Sequence, residues 1–195
     1  MGLVDLLYRC PFCGADTLPD GEAARCAGCE RSYVIGGGGG NVRVSRKDGG
    51  GAELRLSALI GGMEDWGDEG HALESSAVAR FALKEWPVRY RDAVVGFFEE
   101  RGSKIAGTLR LGQREIRFTE EAGPVHEWPL LDLTAVLTAS AAIQISPPEG
   151  GLVSFRLIGD SPRRWDDSLK QRIRRLWHGA GRGEIREFQP RIRAR

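Results

Sequence analysis

The chain has 195 residues, of which 41% are hydrophobic and 28% charged, and its 28 Lys or Arg almost balance 27 Asp or Glu for a net charge of +1. This is the composition of an ordinary soluble protein, and no apolar run approaches the ~20 residues that a membrane-spanning helix needs. The length suits a small metal-stapled module followed by one domain with a modest core.

The opening Met1-Gly-Leu-Val-Asp-Leu-Leu-Tyr8 places an acid where a secretion signal carries positive charge, and Leu6 stands where a myristoylation signal wants Ser or Thr. A cytoplasmic address follows. The only four cysteines come next, as Cys10-Pro-Phe-Cys13 and Cys26-Ala-Gly-Cys29. Each C-x-x-C turn aims two thiolates at one point, and two such hooks complete the tetrahedral sulfur shell that a structural Zn²⁺ prefers. Two disulfides are the competing reading, disfavoured because a cytosolic chain keeps its thiols reduced. A thiol-exchange role would call for one hook in a βαβ setting, which is absent here. Gly14 and Gly28 relieve the backbone where amides approach the sulfurs, and Phe12 with Tyr33 is expected to cover the metal. Four thiolates leave no open coordination position, so the site predicts folding energy rather than catalysis.

Residues 8–44 read as the metal module, within a first division of 1–46. Arg31-Ser-Tyr-Val-Ile35 and Asn41-Val-Arg-Val-Ser45 are expected to pair as a hairpin across the glycines 36–40. That run is no phosphate loop, since neither Gly-Lys-Ser/Thr nor a helix start follows it. Residues 47–103 read as a linker with a helical segment. Lys47-Asp-Gly-Gly-Gly51 is a flexible linker or open loop, Ala52–Ile60 gives a strand and residues 61–70 a loop, and Leu73, Ala77 and Phe81 recur at helical spacing over His71–Glu85 before Trp86-Pro87. Asp92–Arg101 suits a helix ending at Gly102, with a strand as the alternative.

From Lys104 the pattern turns to short strands. Lys104–Leu111 and Arg114–Phe118 form a hairpin around Gly112-Gln113, followed by strands over Val125–Trp128, Leu133–Ala139, Ala142–Ser146 and Leu152–Ile158. Ser161 is a good N-cap and Pro162 a good first helical residue. Trp165, Leu169, Ile173, Leu176 and Trp177 then repeat at three- and four-residue steps up to Gly179. One face of this helix is core, and the other shows Lys170, Arg174 and Arg175. From Ser161 onward eleven Lys or Arg oppose four Asp or Glu, whereas the rest of the chain holds 17 against 23. The basic end, with its tail at 181–195, invites an anionic partner or forms a solvated face.

The predicted fold class is α+β, a small zinc ribbon plus an antiparallel sheet domain at 104–180 closed by a C-terminal amphipathic helix. Its first half resembles zinc-ribbon and rubredoxin-like modules over about residues 8–35, a likeness carried by the two hooks. The resemblance implies that Cys10, Cys13, Cys26 and Cys29 bind the metal, zinc rather than iron. The second half, through Gly107–Leu111 with Ile116–Phe118, Trp128–Leu133, Val153–Phe155 and Trp165–Leu176, resembles the pleckstrin-homology-like superfold and its GRAM-type members. Members that grip phosphoinositides usually gather basic residues at the first hairpin turn. Taking that turn as Gly112-Gln113, only Arg110 and Arg114 stand near it.

The expected function is therefore a non-enzymatic adaptor or scaffold, docking a protein partner or an anionic membrane surface at which it would be peripheral. Lys170, Arg174, Arg175, Arg182 and Arg186 are the candidate lipid-facing cations. A nucleic-acid-binding ribbon is the alternative, weakened because Asp5, Asp16, Asp20, Glu22 and Glu30 offset Arg9, Arg25 and Arg31 around the cysteines. A regulatory module of a lipid-modifying enzyme is another. Catalysis by the chain itself finds no support, because His71, His126 and His178 each stand alone in the local sequence, so that no triad can be read from their spacing, and no His-x4-Asp acyltransferase motif occurs.

Overall fold

A computed structural model describes residues 2–36, 40–64, 66, 71–91, 93–139 and 142–181. It divides into two compact units, Met1–Glu69 and Gly70–Arg195. The boundary lies inside the stretch read above as a linker.

The first unit is a five-stranded antiparallel meander. Strands β1 (Thr17–Asp20), β2 (Ala23–Cys26), β3 (Ser32–Ile35), β4 (Asn41–Ser45) and β5 (Gly51–Arg55) lie in chain order, with α1 (Leu3–Leu6) before them and α2 (Leu56–Glu64) after. Alternation along the strands turns Ala24, Cys26, Tyr33, Val42 and Val44 inward, where Leu3, Leu7, Leu59 and Met63 complete one apolar cluster with Cys10. The hairpin expected across the glycines is present, with Tyr33 opposite Val44 and Ile35 opposite Val42. Lys47–Gly51, expected as a linker or an open loop, is a tight hydrogen-bonded turn. The Arg46 amide donates to the Gly50 carbonyl at 2.7 Å, and Gly49 takes φ +85°. The strand expected to run to Ile60 stops at Arg55, and α2 replaces its end and the start of the loop expected after it, because Leu56, Leu59, Ile60 and Met63 share a helical face that the sheet can cover.

The second unit is a curled, half-barrel antiparallel sheet in the order β10-β9-β8-β6-β13-β12-β11, with a C-terminal helix. Its strands are β6 (Leu73–Tyr90), β7 (Ala93–Arg101), β8 (Ile105–Leu111), β9 (Glu115–Glu120), β10 (Val125–Pro129), β11 (Ala135–Ala139), β12 (Ala142–Ser146) and β13 (Val153–Leu157). The expected helix over His71–Glu85 is wrong. Those residues open the 18-residue strand β6, whose near half pairs with β8 and β13 and whose far half pairs with β7 in a two-stranded ribbon. Leu73, Ala77 and Phe81 are every second member of the alternating set Leu73, Ser75, Ala77, Ala79, Phe81, so a four-residue period suited a strand as well as a helix. Of Asp92–Arg101, Ala93–Arg101 forms the strand β7, the alternative to the helix expected there.

Helix α3 (Pro162–Gly179) forms where its signals placed it. The Ser161 hydroxyl accepts from the Arg164 amide at 3.2 Å, Pro162 occupies the first turn, and Trp165, Leu169 and Ile173 are buried in the sheet's core. Trp165 is fully buried with its indole donating to Asp160 at 2.6 Å, whereas Trp177 is half-buried. Arg172, on the core side, donates to the carbonyls of Leu111, Gly112 and His71, which joins the helix to the β8–β9 turn and to the lead into β6.

Candidate metal centre

The first hook follows an isolated bridge between Arg9 and Asp16 and is closed by two backbone bonds. The Cys10 amide donates to Ala15 at 2.7 Å, and the Gly14 amide donates to Cys10 at 2.9 Å. Gly14 turns the chain at φ +73°, a conformation open to glycine. The second hook leaves the end of β2. The amides of Gly28 and Cys29 both point at Cys26 Sγ at 3.3 Å, and Gly28 passes so close to Ala15 that a Cβ would meet its methyl at 2.8 Å. Amides aimed at sulfur favour the thiolate that a metal requires.

The two hooks face each other. Cys10 Sγ lies 3.6 Å from Cys29 Sγ and Cys13 Sγ lies 3.4 Å from Cys26 Sγ, and all four sulfurs fall within 4.8 Å of one another. Cys10 and Cys26 are buried, Cys13 and Cys29 half-buried. Burial pushes the Cys10 thiol up to about 12 despite the Tyr33 hydroxyl 2.9 Å away, and it raises Cys26 as well. Burial also acts on Cys29, but the amide and guanidinium of Arg31, together with hydrogen bonds from the Cys26 and Cys10 thiols, outweigh it and bring that thiol down to about 6. Arg31 is held charged by the same contact. The cluster can therefore hold a metal ion, and the metal would displace protons from its buried members.

Of the two residues expected to cover the site, Tyr33 does so. It is fully buried, its hydroxyl meets Cys10, and burial with the neighbouring sulfur raises its own ionisation far above the usual tyrosine value. Phe12 instead turns outward, 44% exposed, beneath the Arg31 guanidinium at 4.6 Å. A residue that the local sequence did not connect with this hook is Trp66, itself 44% exposed, which packs on the hook's backbone beside Gly14 rather than on the sulfurs. Its indole donates to the Pro11 carbonyl at 3.1 Å, and the chain just before it brings Gly62 against Pro11.

The candidate cations are only partly assembled. Lys170 is paired with Asp166 at 2.7 Å, while Arg174 and Arg175 are exposed near the end of α3. Arg182 and Arg186 lie outside the described residues. His126 bonds Glu120 at 2.8 Å and stacks on Trp128, with ring planes 9° apart. The first hairpin of the sheet is not the one at Gly112-Gln113, which joins β8 to β9. It is the β6–β7 ribbon, whose tip presents Val88, Arg89, Tyr90 and Arg91, all exposed. No glycine or proline stands between the two strands, so the sequence carries no turn signal there.

No protein-family model matches the chain, and no curated protein matches it either.

Proposed function

We propose that the protein is a non-enzymatic, zinc-binding adaptor whose C-terminal unit docks on an anionic membrane surface. Zinc is supported by the donor set. With Zn–S bonds of about 2.3 Å, tetrahedral sulfurs stand about 3.8 Å apart, close to the cross-hook separations of 3.6 and 3.4 Å. Such a closed shell stabilises a zinc-ribbon module and supplies no open position for a reaction. The curled sheet with its C-terminal helix favours a pleckstrin-homology or GRAM-like reading of the second unit.

The observation that carries the docking reading is the ribbon tip. Val88 is 45% and Tyr90 63% exposed, they alternate with Arg89 and Arg91, and the Arg91 guanidinium lies 5.4 Å from the Tyr90 ring. Apolar side chains that can enter the acyl boundary, interleaved with guanidiniums that can meet phosphates, make an interfacial anchor. Each cation near an anionic surface adds about 1 kcal/mol, a contribution that Arg89 and Arg91 would make at the tip. The cytoplasmic face of a membrane is the address this reading implies.

Co-sedimentation with phosphatidylcholine vesicles, with and without phosphatidylserine, at low and high salt tests the proposal. Salt-sensitive binding to the anionic vesicles, weakened by Arg89→Ser with Arg91→Ser, is expected. No binding at low salt sinks the membrane reading and leaves a protein partner as the object of the search.

A further inference from the structure

Strands at the edge of a sheet expose unpaired backbone N–H and C=O groups, and proteins guard such edges with charge, proline or a bulge. Among the described residues the guarding is uneven. Strand β1 carries Pro19 and Asp20, β5 carries Glu53 and Arg55, β7 ends in Glu99-Glu-Arg101, and β10 holds Glu127 and Pro129. Strand β11, Ala135-Val-Leu-Thr-Ala139, has neither charge nor proline. It lies in a stretch, residues 133–148, without a single Asp, Glu, Lys or Arg, in a chain that is 28% charged. Val136 faces the core at 1% exposure, and Leu137 stands on the opposite face at 39%. The cross-strand neighbours of Ala135 and Leu137 are Ser146 and Gln144, also uncharged. Beside Thr138 on α3, Asp166 is neutralised by Lys170.

We propose that β11 is a self-association edge, at which two copies of the chain pair antiparallel about a two-fold axis at Leu137. This register sets Leu137 against Leu137 of the second copy, Val136 against Thr138 and Ala135 against Ala139. An occupant of this edge must be an extended segment that brings no charge to the seam, and β11 is itself such a segment. A two-fold contact needs a self-complementary patch, which the Ala-Val-Leu-Thr-Ala pattern provides. The paired leucines add a cross-strand apolar contact on the outer face. Five residues a side make a small interface, so the association is reversible and weaker than that of an obligate dimer.

Sedimentation velocity of the 195-residue, zinc-loaded chain across a micromolar to submillimolar series reads the association directly. The wild type is expected to show a reversible monomer–dimer equilibrium. Leu137→Lys and Leu137→Glu, which place like charges across the axis, should each weaken it by about tenfold or more. An equimolar mixture of the two should recover it, because the introduced ammonium then faces the introduced carboxylate. Leu137 is exposed, and unchanged thermal melts of both variants separate loss of pairing from loss of fold. A wild type that stays monomeric throughout, or a Leu137→Lys chain that dimerises undiminished, overturns the proposal. Failure of the mixture to recover when both variants are monomeric overturns the register. A monomeric wild type that instead takes up an uncharged strand-forming peptide, read from the amide resonances of Ala135–Ala139, would assign the edge to a different partner and overturn self-pairing.

Discussion

The indole of Trp66 donates to the carbonyl of Pro11 at 3.1 Å, so the residue just beyond α2 closes over the first cysteine hook. The same ring fills the space beside Gly14, where a Cβ would lie 2.6 Å from it, and Gly14 already holds a positive φ. Gly14→Ala therefore both strains the turn and displaces its cover. Residues that support metal ligands without touching the metal cost about 10- to 100-fold in affinity when altered. Gly14→Ala is expected to fall in that range, with Trp66→Phe milder because it keeps the ring and loses only the N–H. Competition against a chromogenic zinc chelator measures both. An unchanged affinity for Gly14→Ala would show that the hook tolerates opening.

Metal uptake should depend on pH with a definite sign. In the metal-free protein Cys10, raised to about 12 chiefly by burial, and Cys26, raised for the same reason, carry protons near neutrality, whereas Cys29 at about 6 is largely thiolate. Protons compete with the metal for the first two, so apparent affinity rises with pH across the neutral range. It falls more steeply below the Cys29 value, where that ligand protonates as well. Calorimetric titration in buffers of different ionisation enthalpy counts the protons released. Release from fewer than two thiols near neutral pH would contradict this assignment.

The hooks, the strands β8 to β13 and helix α3 were legible because each is specified locally. The cysteine spacing, the two-residue alternation and the Ser161-Pro162 start need no distant partner. Strand β6 was not legible, since its apolar positions Leu73, Ala77 and Phe81 satisfy two periods at once. Pairing with β8 on one side and β13 on the other decides between them. Helix α2 was hidden by Gly61-Gly62, which read as a break although Leu56, Leu59, Ile60 and Met63 keep helical spacing. Trp66 could not be assigned to the metal site at all, because its contact reaches back 55 positions to Pro11.

Arg172 is 1% exposed, and its guanidinium donates to Leu111 at 2.9 Å, to Gly112 at 2.8 Å and to His71 at 2.6 Å. Arg172→Met keeps much of the packing volume but leaves these carbonyls without their donor, at an expected cost of about 2–4 kcal/mol. Arg172→Lys should recover only part of this, because an ammonium cannot span the three acceptors as a planar fork does. Urea unfolding followed by tryptophan fluorescence gives the values. A loss below about 1 kcal/mol for the methionine variant would mean that water replaces the guanidinium and that the clip contributes little.

Removing the metal should separate the two units energetically. Cys10 and Cys26 belong to the same buried cluster as Leu7, Tyr33, Val42 and Met63, so repulsion or reprotonation among the bare thiolates acts inside the core of residues 1–69. The cluster of the second unit, built on Phe118, Phe155, Trp165 and Leu169, contains no cysteine and has no such dependence. A chelator titration monitored by limited proteolysis is expected to expose cleavage sites before residue 70 while a fragment spanning the half-barrel and α3 persists. The near-ultraviolet circular dichroism of the fully buried Trp165 should survive the same titration. A single cooperative collapse of both halves would show instead that the metal stabilises the whole chain and that the division at Glu69 is not a thermodynamic one.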